Sequence, residues 1–199
     1  MSNIHPIFDK ILNKEDKERL LNQKALVIWM VGLSGSGKST LAKELEQTLH
    51  QEGFLTQLID GDNLRTGINN NLGFSAEDRL ENIRRAAEVS KLFLNCGIIT
   101  ICSLISPTEE IRQLAKGIIG EKDFCEVYIN CPIEECERRD VKGLYQKARK
   151  GEIKHFTGID APFDAPQNAT IEVNTFLHDL EYCKKEIIQK IYTKIKFGI

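Results

Sequence analysis

The sequence has one tryptophan, five prolines and four histidines, and no apolar run long enough to cross a bilayer. Neither sign of charge dominates. With 27 Lys and Arg against 29 Asp and Glu, the net charge is −2, so no global field draws the chain to nucleic acid or an anionic membrane. Six cysteines are present, but they form no Cys-x-x-Cys pair and no histidine stands at metal-ligand spacing from them. That argues against a structural zinc site and for free, buried thiols. The opening Met1-Ser2-Asn3-Ile4-His5-Pro6 lacks the basic and apolar parts of a secretion signal, so a soluble cytoplasmic protein is expected. Asn168-Ala169-Thr170 is then an idle glycosylation pattern. Repeats, low-complexity tracts and long linkers are also missing, and 199 residues suit one core better than two.

What the sequence does have is Gly32-Leu33-Ser34-Gly35-Ser36-Gly37-Lys38-Ser39-Thr40, placed between an apolar run, Ala25 to Val31, and the helical pattern Leu41, Leu45, Leu49. Strand, glycine-rich turn and helix in that order make a phosphate-binding loop. Its glycines let successive backbone N–H groups point into one concavity, and the helix start adds its own N–H groups and dipole. Lys38 is placed to reach the β- and γ-phosphates of ATP, and the Ser39 hydroxyl to ligate the Mg²⁺ that bridges them.

Further strands are predicted at 54–59, 98–105, 124–131 and 170–173, with helices between them and a closing helix marked by Leu180, Cys183, Ile187, Ile191 and Ile195. The fold class is therefore α/β: a three-layer sandwich with a five-stranded parallel sheet, like the nucleotide kinases among the P-loop NTPases. Residues 1–23 read as a helical extension outside the sheet and 24–199 as the kinase domain. After Asp60 the chain is expected to turn through a long polar loop before a helix capped by Ser75.

In a parallel sheet, ligands sit beyond the carboxyl ends of the strands, where Asp60, Asp62 and Ser106 fall. One of the two aspartates should serve the Mg²⁺ shell or take the proton of an acceptor hydroxyl. Asp62 is favoured for both the catalytic and the metal-side role, with Asp60 supporting it. Cations for the moving charge are offered by Arg65, Arg79, Lys142 and the pair Arg138/Arg139. Phe74 and Phe156 each stand in a polar loop with little core to join; stacking on a planar base and packing under the loop are both open uses for them. Between Arg138 and Lys154 seven basic residues face only Asp140 and Glu152. A mobile lid over about 138–158, excluding water from the γ-phosphate, accounts for that patch better than nucleic-acid binding.

Taken together, these residues resemble the adenylylsulfate kinase family. The likeness rests on the phosphate loop, Asp-Gly-Asp-Asn-Leu-Arg at 60–65, Gly-Phe-Ser at 73–75, Asp78-Arg79, Glu81 to Arg85 and Ile105-Ser106-Pro107. It continues through Cys136-Glu137-Arg138-Arg139-Asp140, Lys142 to Arg149 and Phe156-Thr157-Gly158-Ile159. The resemblance implies ATP-dependent phosphorylation of the 3′-hydroxyl of adenosine 5′-phosphosulfate. Asp62 is then the catalytic carboxylate, and Lys38 and Ser39 attend ATP and Mg²⁺; of the cation candidates, Arg138 is assigned to the ATP side. It further implies an acceptor pocket of Arg65, Arg79, Asn82, Ile105, Ser106 and Lys142, with Phe74 and Phe156 on either side of the adenine. Also implied are a homodimer and functional coupling to ATP sulfurylase. Thr108 stands where the family usually has an aromatic, 160–168 departs from its common pattern, and the amino-terminal segment lacks its Trp-His pair. Other small-molecule or nucleoside kinases share the same sheet, and a nucleotide-binding regulator without catalysis would share the loop; an acceptor-dependent turnover separates all three.

Overall fold

The computed structural model describes residues 3–198. Its first half runs α1 (Lys14–Leu21), β1 (Val27–Val31), α2 (Lys38–Gln51), β2 (Thr56–Asp60), α3 (Gly61–Thr66), α4 (Ala76–Leu94) and β3 (Ile99–Ser103). The second half runs α5 (Glu109–Ile119), β4 (Phe124–Asn130), α6 (Ile133–Arg139), α7 (Leu144–Arg149), β5 (Ile171–Asn174) and α8 (Leu180–Ile195).

The strands form one parallel sheet in the order β2-β3-β1-β4-β5. β1 is central and buried along its whole length, which is why its sequence is apolar without alternation. Its side chains nevertheless divide by face. Val27, Trp29 and Val31 join a core with α4 and α5, while Ile28 and Met30 join a second core with α2 and α8. Each large side chain buried in this way contributes about 1.5–3 kcal/mol. The expected three layers are therefore present. The order in which strands are added switches sides at β1, with β2 and β3 on one flank and β4 and β5 on the other, so the crevice at its carboxyl end is the natural ligand site.

The polar stretch after Asp60 contains a helix where its composition predicts a turn. Asp60 accepts a hydrogen bond from the Asp62 N–H and so caps α3; the acidic pair that reads as turn chemistry is a helix start. Ser75 caps α4 as its spacing predicts. Thr108, the departure from the family pattern, caps α5 by accepting from the Ile111 N–H.

Below the sheet, the extension is stitched to the strand starts. The Gln23 side chain donates to Leu55 O and Gly97 O at 3.0 and 2.8 Å and accepts from the Leu55 N–H at 2.8 Å. Buried Glu18 accepts from the Ala25 N–H and pairs with Lys24. A short 3₁₀ turn, Phe8–Lys10, precedes α1 and is exposed throughout.

Candidate active site

The phosphate loop closes back on its own neighbours. A side chain at Gly35, whose φ is +76°, would meet the Cys136 carbonyl at 2.9 Å, and one at Gly32 would meet the Ile129 carbonyl at 2.7 Å. Only glycine permits that approach. Gly37, at φ +97°, is the residue from which α2 begins. The Lys38 ammonium donates to Gly32 O and Leu33 O at 2.8 and 2.7 Å. Burial lowers its pKa from the usual lysine range to about 8. The two carbonyls therefore occupy the donors that a phosphate reaching this nitrogen would need.

A cavity of about 1000 Å³ opens above the loop, at the upper end of the roughly 300–1,000 Å³ usual for small-molecule sites. Ser34, Gly35, Gly37, Lys38, Ser39 and Thr40 line it, whereas Gly32, Leu33 and Ser36 lie behind as scaffold. The Ser39 hydroxyl donates to Asp60 Oδ2 at 2.8 Å, and the Ser103 hydroxyl lies 3.1 Å from it. So the carboxylate joined to Ser39 is Asp60. Asp62 instead forms an ion pair with Lys142 from the segment between α6 and α7, and both residues line the cavity.

These oxygens can be tested against Mg²⁺. No cluster of three or more His, Cys, Asp or Glu suited to a metal exists among the described residues. A hydroxyl and a carboxylate in contact beside a phosphate loop fit a hard cation that retains waters and takes further oxygens from phosphates.

The other end of the cavity is built from side chains carried by several segments. Arg65 donates to Leu72 O and Gly73 O, and its guanidinium lies 4.2 Å from the centre of the exposed Phe74 ring. Arg79 donates to Phe74 O, His155 O and the Thr157 hydroxyl, tying α4 to the far side of the basic segment. Burial lowers the pKa of both guanidinium groups, and the Arg65 charge adds to the effect on Arg79. Asn82 is buried, and its Oδ1 accepts from the Asn69 amide at 2.9 Å. That leaves the Asn82 amide N–H₂ as the donor end on the cavity side.

Phe74 and Phe156 do line one cavity, but in unlike settings. Phe156 is buried and packs edge-on against Tyr145, with centroids 4.9 Å apart. It belongs to a small satellite core with Leu33, Cys131, Cys136 and Ala148. Asp160, in the stretch that departs from the family pattern, holds the Phe156 loop by accepting from the His155 and Phe156 N–H groups. Ile105 and Ser106 also line the cavity, and the Gly32 N–H donates to Ile105 O.

Arg138 lies elsewhere. Its exposed side chain is held by Glu135 and does not line the cavity. The neighbouring Arg139 does, donating to Thr175 O at 2.7 Å with Gly35 O at 3.5 Å. The buried Cys136 gives the reason: three residues on, position 139 shares its inward face, and 138 does not. Thr175, His178 and Leu180 at the same end escape sequence reasoning. They follow β5 with no local motif; only the strand order brings them to the loop. The cysteines other than Cys96 are buried, and burial pushes the Cys102 and Cys136 thiols up to about 12, where they stay protonated.

Residues 24–174 match the family described as adenylylsulphate kinase. Across 195 residues the chain is 56% identical to an adenylyl-sulfate kinase of Bacteroides thetaiotaomicron, covering 98% of this chain and 97% of that one. A second, from Phocaeicola vulgatus, is 57% identical over 189 residues, 95% and 93% of the two chains. Among solved structures, the Mycobacterium tuberculosis APS kinase in complex with AMPPNP and APS superposes with a TM-score of 0.82 at 43% identity, covering 85% of this chain and 98% of that one. A Janibacter sugar kinase, 15% identical with a TM-score of 0.60 over 84% of this chain and 95% of that one, shares the fold alone.

Proposed function

Because this chain belongs to the adenylylsulphate kinase family, we propose that it moves the γ-phosphoryl group of ATP onto the 3′-hydroxyl of adenosine 5′-phosphosulfate. The product is 3′-phosphoadenosine 5′-phosphosulfate. The observation that carries the reading is the shared cavity: Lys38 and Ser39 line it together with Asp62, Phe74 and Ser106.

In this reading the backbone N–H groups of Ser34, Gly35 and Gly37 to Thr40, with the Lys38 ammonium, hold the triphosphate. The ribose oxygen bonds to the γ-phosphorus as the bond to the β–γ bridging oxygen breaks, and the hydroxyl proton passes to the Asp62 carboxylate. Lys142 releases that carboxylate by turning to the acceptor's phosphosulfate. Arg65 and Arg79 add positive charge, Asn82 and Ser106 hydrogen bonds, and Phe74 and Phe156 aromatic surface for the adenine. Ser39, with Asp60 or Asp62 beside it, would hold Mg²⁺, which would supply neutralising charge for the phosphates. The donor end is attended by Arg139 in place of Arg138, and Asp60 orients Ser39. Residues 138–158 act as the lid.

A cytoplasmic homodimer working beside ATP sulfurylase completes the proposal. Exposed Ile7, Phe8, Ile11 and Leu12 offer apolar surface for a second copy, and a phosphosulfate anhydride must be supplied by an enzyme that adenylylates sulfate. No described helix is long and apolar enough to cross a membrane. The test is ATP-dependent phosphorylation of adenosine 5′-phosphosulfate beside AMP and adenosine. Strong preference for the sulfated nucleotide is expected, and equal turnover of AMP would overturn the acceptor assignment.

A further inference from the structure

Trp29 is the one tryptophan of the chain, fully buried in the central strand. An indole N–H only donates, and a buried one needs an acceptor. Strand carbonyls are the usual recourse, yet Trp29 Nε1 donates to the Ser106 hydroxyl at 3.0 Å. Ser106 is itself unusual. It holds φ at +48°, the left-handed region that a residue with a Cβ rarely enters, and Arg112 donates to its carbonyl at 3.2 Å. The same Arg112 nitrogen donates to Asp164 O at 2.8 Å, and the Asp164 N–H donates to Pro107 O at 2.8 Å. Several elements thus hold one serine in a disfavoured conformation at the edge of the cavity.

We propose that Trp29 is a positioning residue for the acceptor. By filling one lone pair of Ser106 Oγ, it turns the hydroxyl's single proton toward the cavity, so that Ser106 meets the acceptor as a donor. β1 carries the phosphate loop at its end and, through Trp29, also sets this group on the acceptor side. Donor and acceptor are thereby registered on one strand. The inference rests on the acceptor reading above, and it makes the sole tryptophan an intrinsic reporter of that pocket.

Two measurements test it. In protein without added ligand, Ser106→Ala removes the partner of the indole, and the emission maximum of Trp29 shifts to the blue; an unchanged spectrum overturns the inference. Adding adenosine 5′-phosphosulfate changes the emission of the unaltered protein and not that of Ser106→Ala; equal responses overturn it. In steady state, Trp29→Phe raises the acceptor KM about tenfold, the scale of one hydrogen bond, and leaves the KM for ATP unchanged. Adding Trp29→Phe to Ser106→Ala costs nothing more than Ser106→Ala alone. Parallel rises in both KM values, or additive losses, indicate packing and overturn the positioning role. If Trp29→Phe does not fold, the emission measurements decide alone. Should the unaltered protein turn over no adenosine 5′-phosphosulfate, the proposed function fails, while the ligand-free emission shift still reads the Trp29–Ser106 bond.

Discussion

The two ends of the cavity are made of different materials. At the donor end, most of the surface comes from one short run, Ser34, Gly35 and Gly37 to Thr40, with the Lys38 side chain fixed by the Gly32 and Leu33 carbonyls behind it. At the acceptor end, Arg65, Phe74, Arg79, Ser106, Lys142 and Phe156 come from separate segments and are held mostly by side-chain contacts. A backbone cradle suits any nucleoside triphosphate, because phosphate offers the same oxygens everywhere. Side chains gathered from afar suit one acceptor, since each can be exchanged without disturbing the loop.

The largest expected effect lies where the two ends meet. Asp62→Asn keeps the shape of the side chain and removes its ability to take a proton, so kcat falls about 10²–10⁴-fold while the dissociation constant for ATP stays within about threefold. Single-turnover rates alongside ATP titration check this, and a kcat near that of the unaltered enzyme removes Asp62 from the chemistry. Gly35→Ala attacks the backbone end alone. The contact with Cys136 and the positive φ make it destabilising by about 1–3 kcal/mol, and ATP binding weakens more than acceptor binding; denaturant melts and paired KM values check both parts.

The pH dependence sharpens the contrast further. Lys38 in the folded protein has its pKa lowered to about 8 by burial, against 10.5 as its ordinary value. Between about 8 and 10.5 the unfolded chain binds the extra proton, so this group's contribution to stability rises with pH. ATP binding, which needs the ammonium, weakens over the same window by up to about tenfold per pH unit. Opposite slopes for melting and for ATP affinity are the expected result, once other groups are subtracted with Lys38→Met. The smallest effects separate neighbours: Arg139→Ala raises the KM for ATP about three- to tenfold, whereas Arg138→Ala changes it less than about twofold. The reverse order would return the donor role to Arg138.

The same contrast governs how much of the molecule is legible in its residues alone. The layered fold and the phosphate loop can be read because each strand and helix of the sheet carries its own local pattern, and Ser75 caps α4 where its spacing says. The acceptor end is legible only as an ordered set of family motifs. Contacts such as Lys142 with Asp62, or Arg79 with Thr157, join residues about eighty positions apart and leave no local trace. Helix phase alone selects Arg139, since Cys136 marks the inner face of α6. Asp60 serves two partners with one carboxylate: it caps α3 two residues on, which its neighbours signal, and it accepts from Ser39 twenty-one positions back, which they do not.

The Gln23 amide joins the segments leading into β2 and β3 at the rim opposite the reacting groups. The far rim is thus tied independently of the contacts that hold the carboxyl rim. Turnover and durability are consequently assigned to opposite poles of the molecule: weakening the Gln23 tie shortens how long the fold survives heat and leaves the catalytic cycle as fast as before.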